Sequence, residues 1–163
     1  MILFLGDYAP QKKRILSQKF KSLLRTTSHV ILNYEGTSSA LDIKKFKKIA
    51  NGFTPIIDDN LLVEILNCGV KVICNLSNNH SFDYGEKGYF NTVNHLKSLG
   101  CIVIGPNTKN GEVIPIFNIN YKNFSFNIIS ASEHSPGEPK IQNKNVTRTR
   151  LNYALNIIKN LKK

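Results

Sequence analysis

Residues 69–85 read GVKVICNLSNNHSFDYG. Val70, Val72, Ile73 and Cys74 form a short apolar run behind Gly69, interrupted only by Lys71, and this predicts a buried strand. From Glu86 onward Tyr89, Phe90, Val93, Leu96 and Leu99 fall at helical spacing, and Gly100 supplies the stop. Between strand and helix the chain crowds Asn78, Asn79, His80 and Asp83 into one turn. In parallel α/β sheets functional groups gather at the carboxyl ends of strands, so the turn is the first place to look for chemistry.

Working outward, the same alternation repeats. Upstream, Leu61, Leu62, Ile65 and Leu66 predict a helix capped by Asp58 or Asp59 and closed by Gly69, with Pro55 breaking the chain before it. Leu41 to Ile49 predicts a short helix, and His29 to Leu32 a strand ending in Asn33-Tyr34-Glu35-Gly36. A helix is expected from about Gln11, with Ile15, Phe20, Leu23 and Leu24 on its apolar side, after a first strand Ile2 to Leu5 that ends in Gly6-Asp7. Downstream, Cys101 to Ile104 is a strand, and Ile114 to Ile119 with Phe124 to Ile129 is a hairpin. A last helix from about Val146 carries Leu151, Ala154, Leu155, Ile158 and Leu161. The fold class expected is α/β: a mostly parallel sheet with flanking helices and a late β-hairpin.

The chain has 163 residues, the length of one domain, with 41% hydrophobic residues and no apolar run long enough to span a bilayer. The apolar start lacks a basic leader and a small-residue cleavage site, and the expected location is cytoplasmic. Cys68, Cys74 and Cys101 are odd in number and lack CxxC spacing, so reduced buried thiols are expected. The net charge of +11 would suit a polyanion, yet the lysines lie mostly on helix faces without interleaved aromatic residues. Solvated surface is the preferred reading, with a mild attraction for acidic substrates and no specific nucleic acid.

Three strand ends share one character. They offer Gly6-Asp7, then Asn33-Tyr34-Glu35-Gly36, then Asn78-Asn79-His80. Asp7, Glu35, Asn79 and His80 make a mixed oxygen and nitrogen set suited to manganese, magnesium, iron or zinc. Taken singly, each has an ordinary explanation: Asp7 as a helix cap, Glu35 as a partner for a surface lysine, Asn78 and Asn79 as a turn, His80 as a loop histidine. The functional reading rests on their conjunction at three strand ends.

GDYAP, ILNYEG and NNHSFDYG together resemble the capsule-synthesis CapA family, also called poly-γ-glutamate synthesis proteins. The stretch GYFNTVNHLKSLGCIVIGPN resembles the family's following helix and strand. That family is similar in turn to calcineurin-like metallophosphoesterases, whose two-metal site sits on a four-layer αββα sandwich. The resemblance implies metal ligands at Asp7, Glu35, Asn79 and His80. It also implies a catalytic role for His80, contacting phosphate and protonating a leaving group, with Asp83 orienting it. Two departures stand out. Ala9 occupies the place of a histidine in the wider superfamily's first motif, and the later His-Trp-Gly-like and Gly-His-x-His-like segments do not occur. His134 matches neither. The chain is therefore expected to be one truncated or split domain over residues 1–163, corresponding to the amino-terminal half of the sandwich.

The activity implied is metal-dependent phosphoester hydrolysis or transfer in the making of an anionic surface polymer, polysaccharide or poly-γ-glutamate. The alternative is a non-catalytic accessory factor that binds metal or polymer during synthesis or export. Expected partners are an anionic polymer or phosphoester substrate, and a partner supplying the missing half of the fold. Members of the family are often membrane-anchored or extracytoplasmic, whereas this chain carries no membrane segment. Charge-driven nucleic-acid binding is a third and weaker reading.

Overall fold

The structure, a computed structural model, describes residues 1–105 and 116–130. Strands β1 (Ile2–Tyr8), β2 (His29–Tyr34), β5 (Lys71–Asn75) and β6 (Ile102–Ile104) form one parallel sheet in the order β1-β2-β5-β6. Helices α1 (Gln18–Arg25), α2 (Asn60–Leu66) and α3 (Gly85–Ser98) make the crossovers. Two short strands inserted after β2, β3 (Thr37–Ser38) and β4 (Ile56–Ile57), pair parallel with each other. The hairpin is β7 (Ile116–Tyr121) with β8 (Phe124–Ile129). The α/β architecture with a mostly parallel sheet is the one expected.

Alternation along the strands divides the core in two. Val30, Leu32, Tyr34, Val72 and Cys74 face the helices and meet Leu24, Leu62, Ile65, Tyr89 and Leu96. Ile31, Ile73 and Ile104 point the other way and are covered by Ile119 of the hairpin. The central strands are thus apolar on both faces, as a sheet covered on both sides requires. Burying side chains such as Leu62 and Ile73, both at 0% exposure, contributes roughly 1.5–3 kcal/mol each.

Three local expectations are corrected. Residues from Gln11 to Leu16 are not helical: α1 begins at Gln18, and Ser17 caps it by accepting a hydrogen bond from the Phe20 amide at 3.2 Å. Ile15 is left exposed, because an apolar residue at the right spacing stabilises a helix only if a core face awaits it. Of the helix expected over Leu41 to Ile49 only a single 3₁₀ turn forms, Ile43–Lys45. The first strand runs three residues further than its apolar pattern, through Gly6 and Asp7 to Tyr8. The helix expected from Val146, together with Ile114 and His134, lies outside the described residues.

Candidate functional site

The end of β1 is shaped by Gly6, whose φ of +69° is a conformation that side chains rarely adopt. The pairing register between β1 and β2 shifts between Phe4 and Asp7, the mark of a bulge. This shift sets Asp7 opposite Asn33, whose side-chain amide donates to the Asp7 carboxylate at 2.8 Å. The Gly-Asp pair is therefore a backbone device that carries a carboxylate to its neighbour on the next strand. It is not a helix cap, since the following helix starts at Gln18 and is capped by Ser17.

The turn after β5 closes the network. Buried Asn78 donates from Nδ2 to Asn33 Oδ1 at 3.1 Å and to the Tyr34 carbonyl at 2.9 Å. Its Oδ1 accepts from the His80 amide at 3.0 Å and from the Ser81 hydroxyl at 3.1 Å. One hydrogen-bonded chain, Asp7–Asn33–Asn78–His80, thus crosses the carboxyl ends of three strands. Both polar side-chain atoms of Asn78 are used, which fixes the turn to the strand beside it.

Within the turn, His80 Nδ1 lies 2.8 Å from Asp83 Oδ2. The Asp83 side chain is 3% exposed and that of His80 is 22% exposed. Burial raises the Asp83 pKa above the ordinary carboxylate value, while the His80 hydrogen bond and the charge of Lys48 pull the other way. With Asp83 ionised, Nδ1 carries the proton of this hydrogen bond, and Nε2 is left as the atom that exchanges protons with a ligand. Asp83 is also held from behind: its carbonyl accepts from the amides of Ile49 at 2.8 Å and Ala50 at 3.3 Å. Gly85 then opens α3 with φ +66°, and a Cβ there would stand 2.8 Å from Ile49 Cδ1.

Two further networks support the strand ends. The Ser130 hydroxyl, just past β8, bonds Asn75 Oδ1 and the Ser77 hydroxyl, the latter at 2.6 Å, which ties the hairpin to the start of the turn. Beneath the site, Tyr34 donates to Asp59 Oδ1 at 2.8 Å; Ser38 and His95 reach the other carboxylate oxygen, His95 at 3.1 Å. Tyr34 also stacks on Tyr8, with ring centroids 5.8 Å apart. Each of these tyrosines is the neighbour in sequence of a polar residue of the site.

The residues singled out in the sequence fall as follows. Asp7 is exposed, Glu35 half-buried with its amide on the Tyr8 carbonyl at 3.1 Å, Asn79 exposed on the turn, His80 half-buried and Asp83 buried. His80 and Asp83 are brought into contact, and Asp7 is linked to their turn through Asn33 and Asn78. Among the described residues, however, no three His, Cys, Asp or Glu side chains converge to hold a metal ion. The described donors therefore do not complete a cation site by themselves. The ligand set that the sequence suggests contains neither Asn33 nor Asn78. Asn33 is recognisable only by its register opposite Asp7. Asn78 is chemically identical to Asn79, and burial alone tells them apart.

No helix among the described residues is long and apolar enough to cross a membrane. A search of curated proteins returns no match. Residues 5–161 match the profile of a family described as bacterial capsule synthesis protein PGA_cap. That span takes in all three strand ends, the hydrogen-bonded turn and the hairpin. The chain belongs to this bacterial capsule synthesis family.

Proposed function

We propose that this capsule synthesis protein acts on a phosphoester of an anionic surface polymer or its precursor, with His80 as the proton donor to the leaving oxygen. The observation that carries this reading is the His80–Asp83 pair at 2.8 Å, set on a turn that is hydrogen-bonded across to Asp7. A carboxylate on Nδ1 fixes the tautomer and orientation of the imidazole, so that Nε2 is the atom that takes up a proton and delivers it in one direction. Asn78 holds the His80 backbone and Asn33 holds Asp7, so proton donor and carboxylate keep a fixed relation.

Asp7, Glu35 and Asn79 are the proposed donors to a divalent cation, manganese, iron, zinc or magnesium; His80, with Nδ1 on Asp83, either ligates through Nε2 or carries the proton there, and the proton is the role proposed. When bound, such a cation supplies positive charge for phosphoryl oxygens. Because the described residues do not complete its shell, further donors would have to come from outside them.

The test is metal content and phosphomonoester and phosphodiester hydrolysis by the purified protein, beside His80→Ala and Asp83→Asn. Hydrolysis should fall about 10²–10⁴-fold in His80→Ala, the range for loss of a general acid. It should fall less in Asp83→Asn, where the imidazole persists but its orientation loosens. Equal hydrolysis in the wild type and His80→Ala, or none with any cation, would sink the phosphoester reading. A non-catalytic role in binding polymer during synthesis or export would then take its place.

A further inference from the structure

The segment between β3 and β4 runs beside the His80 turn. It is fastened there by the Ile49 and Ala50 amides on the Asp83 carbonyl, at 2.8 and 3.3 Å, and by Ile49 Cδ1 against Gly85. Directly before that anchor the sequence reads Lys44-Lys45-Phe46-Lys47-Lys48, and all four lysines are exposed. Lys45 has an acidic partner, Asp42 at 3.3 Å. Lys48 rests its ammonium on the Gly52 carbonyl at 2.7 Å, which positions the charge without neutralising it. No acidic side chain is recorded within ion-pair distance of Lys44, Lys47 or Lys48 among the described residues.

The amino-terminal basic run, Lys12-Lys13-Arg14, stands elsewhere, near Glu64, which pairs with Lys21 at 2.8 Å, accepts from the Leu16 amide at 3.2 Å and feels the charge of Lys13. Each run has one member whose charge reaches a carboxylate, Lys13 at Glu64 and Lys48 at Asp83. The two runs differ in place: the second is fastened to the turn that carries His80, and the first is not.

We propose that Lys44, Lys47 and Lys48 form a rim beside His80 that binds successive anionic groups of a polyanionic chain while one of its groups lies at the imidazole. The placement of the reacting group rests on the function proposed above; the rim itself does not. Exposed cations on flexible stems give weak contacts one at a time, and they discriminate by number. A ligand with repeated negative charges engages several together, whereas a single phosphate engages one. The shared ligand chemistry is a chain of anionic groups, either carboxylates or phosphates.

The test measures binding of fluorescent polyglutamate, fluorescent polyphosphate and inorganic phosphate to the full chain. The proteins compared are wild type, the Lys44→Gln/Lys47→Gln/Lys48→Gln triple variant, and a Lys12→Gln/Lys13→Gln/Arg14→Gln control. The rim variant should bind polymer about tenfold more weakly, with a flatter salt dependence, and should change inorganic phosphate affinity less than about twofold. The control should bind polymer as the wild type does. Preference for one polymer identifies which anionic group the rim selects and supports the assignment. Equal weakening in both triple variants, no weakening in either, or no polymer binding by the wild type would overturn it. Glutamine retains much of the lysine stem, and matching melting temperatures establish that the variants fold. If hydrolysis is absent throughout while polymer binding still depends on the rim, the phosphoester reading fails and the rim stands.

Discussion

Two histidine–aspartate pairs lie among the described residues, and their surroundings differ. His95 Nε2 stands 3.1 Å from Asp59 Oδ2, and the same carboxylate also takes Tyr34 and Ser38, residues that are both 0% exposed. His80 Nδ1 stands 2.8 Å from Asp83 Oδ2. The two imidazoles are nearly equally exposed, 20% for the His95 side chain and 22% for that of His80. The first pair is a hub joining β2, β3, α2 and α3. The second sits on a turn at the carboxyl end of β5. Neither the pairing nor solvent access marks a site. What marks it is place, at the end of parallel strands where other polar groups converge.

The comparison breaks most readily at Asp59. Asp59→Ala would leave the Tyr34 and Ser38 hydroxyls without their acceptor and should destabilise the fold by about 3–5 kcal/mol, the loss seen on removing one partner of a buried polar pair. Urea unfolding followed by circular dichroism measures this; a loss under about 1 kcal/mol would mean that the hub is not structural. Gly36→Ala tests the turn between Tyr34 and Ser38. A Cβ there would meet the Pro55 carbonyl oxygen at 2.4 Å at a φ of +151°, and a loss of about 1–3 kcal/mol is expected. A variant as stable as the wild type would show that the β3–β4 insertion shifts freely.

Asp83→Asn should contrast with both. Burial already disfavours the charge of Asp83, so a neutral amide of the same shape should change stability by only about 1 kcal/mol or less. A loss as large as that of Asp59→Ala would erase the distinction between site and hub. Ser17→Ala removes the cap of a helix that has eight residues and should cost about 1 kcal/mol, with no effect on either pair.

The smallest expected effect is on pH dependence, at a third histidine. Burial first, then the charges of Lys71 and the amino terminus, hold the His29 pKa below 6.5. The unfolded chain therefore binds its proton more readily than the folded one. His29 contributes stability that is fully present above pH 6.5 and is lost as pH falls through its lowered folded-state value. His29→Gln should flatten the melting temperature between neutral and mildly acidic pH, and an unchanged slope would assign the dependence elsewhere.

Much of the frame was legible in the sequence because it is written in local patterns. The apolar run at Val70–Cys74 and the helical spacing from Tyr89 to Leu99 each specify an element without help from distant residues. The contact between His80 and Asp83 spans three positions in one turn, and was likewise within reach. The misses have one cause. Ile15 has the spacing of a helix and no core to meet, and Leu41 to Ile49 has the pattern of a helix but is drawn into a loop whose amides serve Asp83.

By itself the sequence determined the alternation of strands and helices, the family, and the turn that carries the imidazole, because periodicity and short motifs act over a few residues. Only the tertiary structure decided which amide holds that turn. Asn78 and Asn79 are alike until the parallel pairing of β2 with β5 sets Asn33 and the Tyr34 carbonyl where Asn78 can reach them. The same holds for Asp7, which becomes the neighbour of Asn33 only through the bulge at Gly6. Both relations link residues 26 to 45 positions apart in the chain, and register between strands is fixed by burial of whole faces rather than by any local signal.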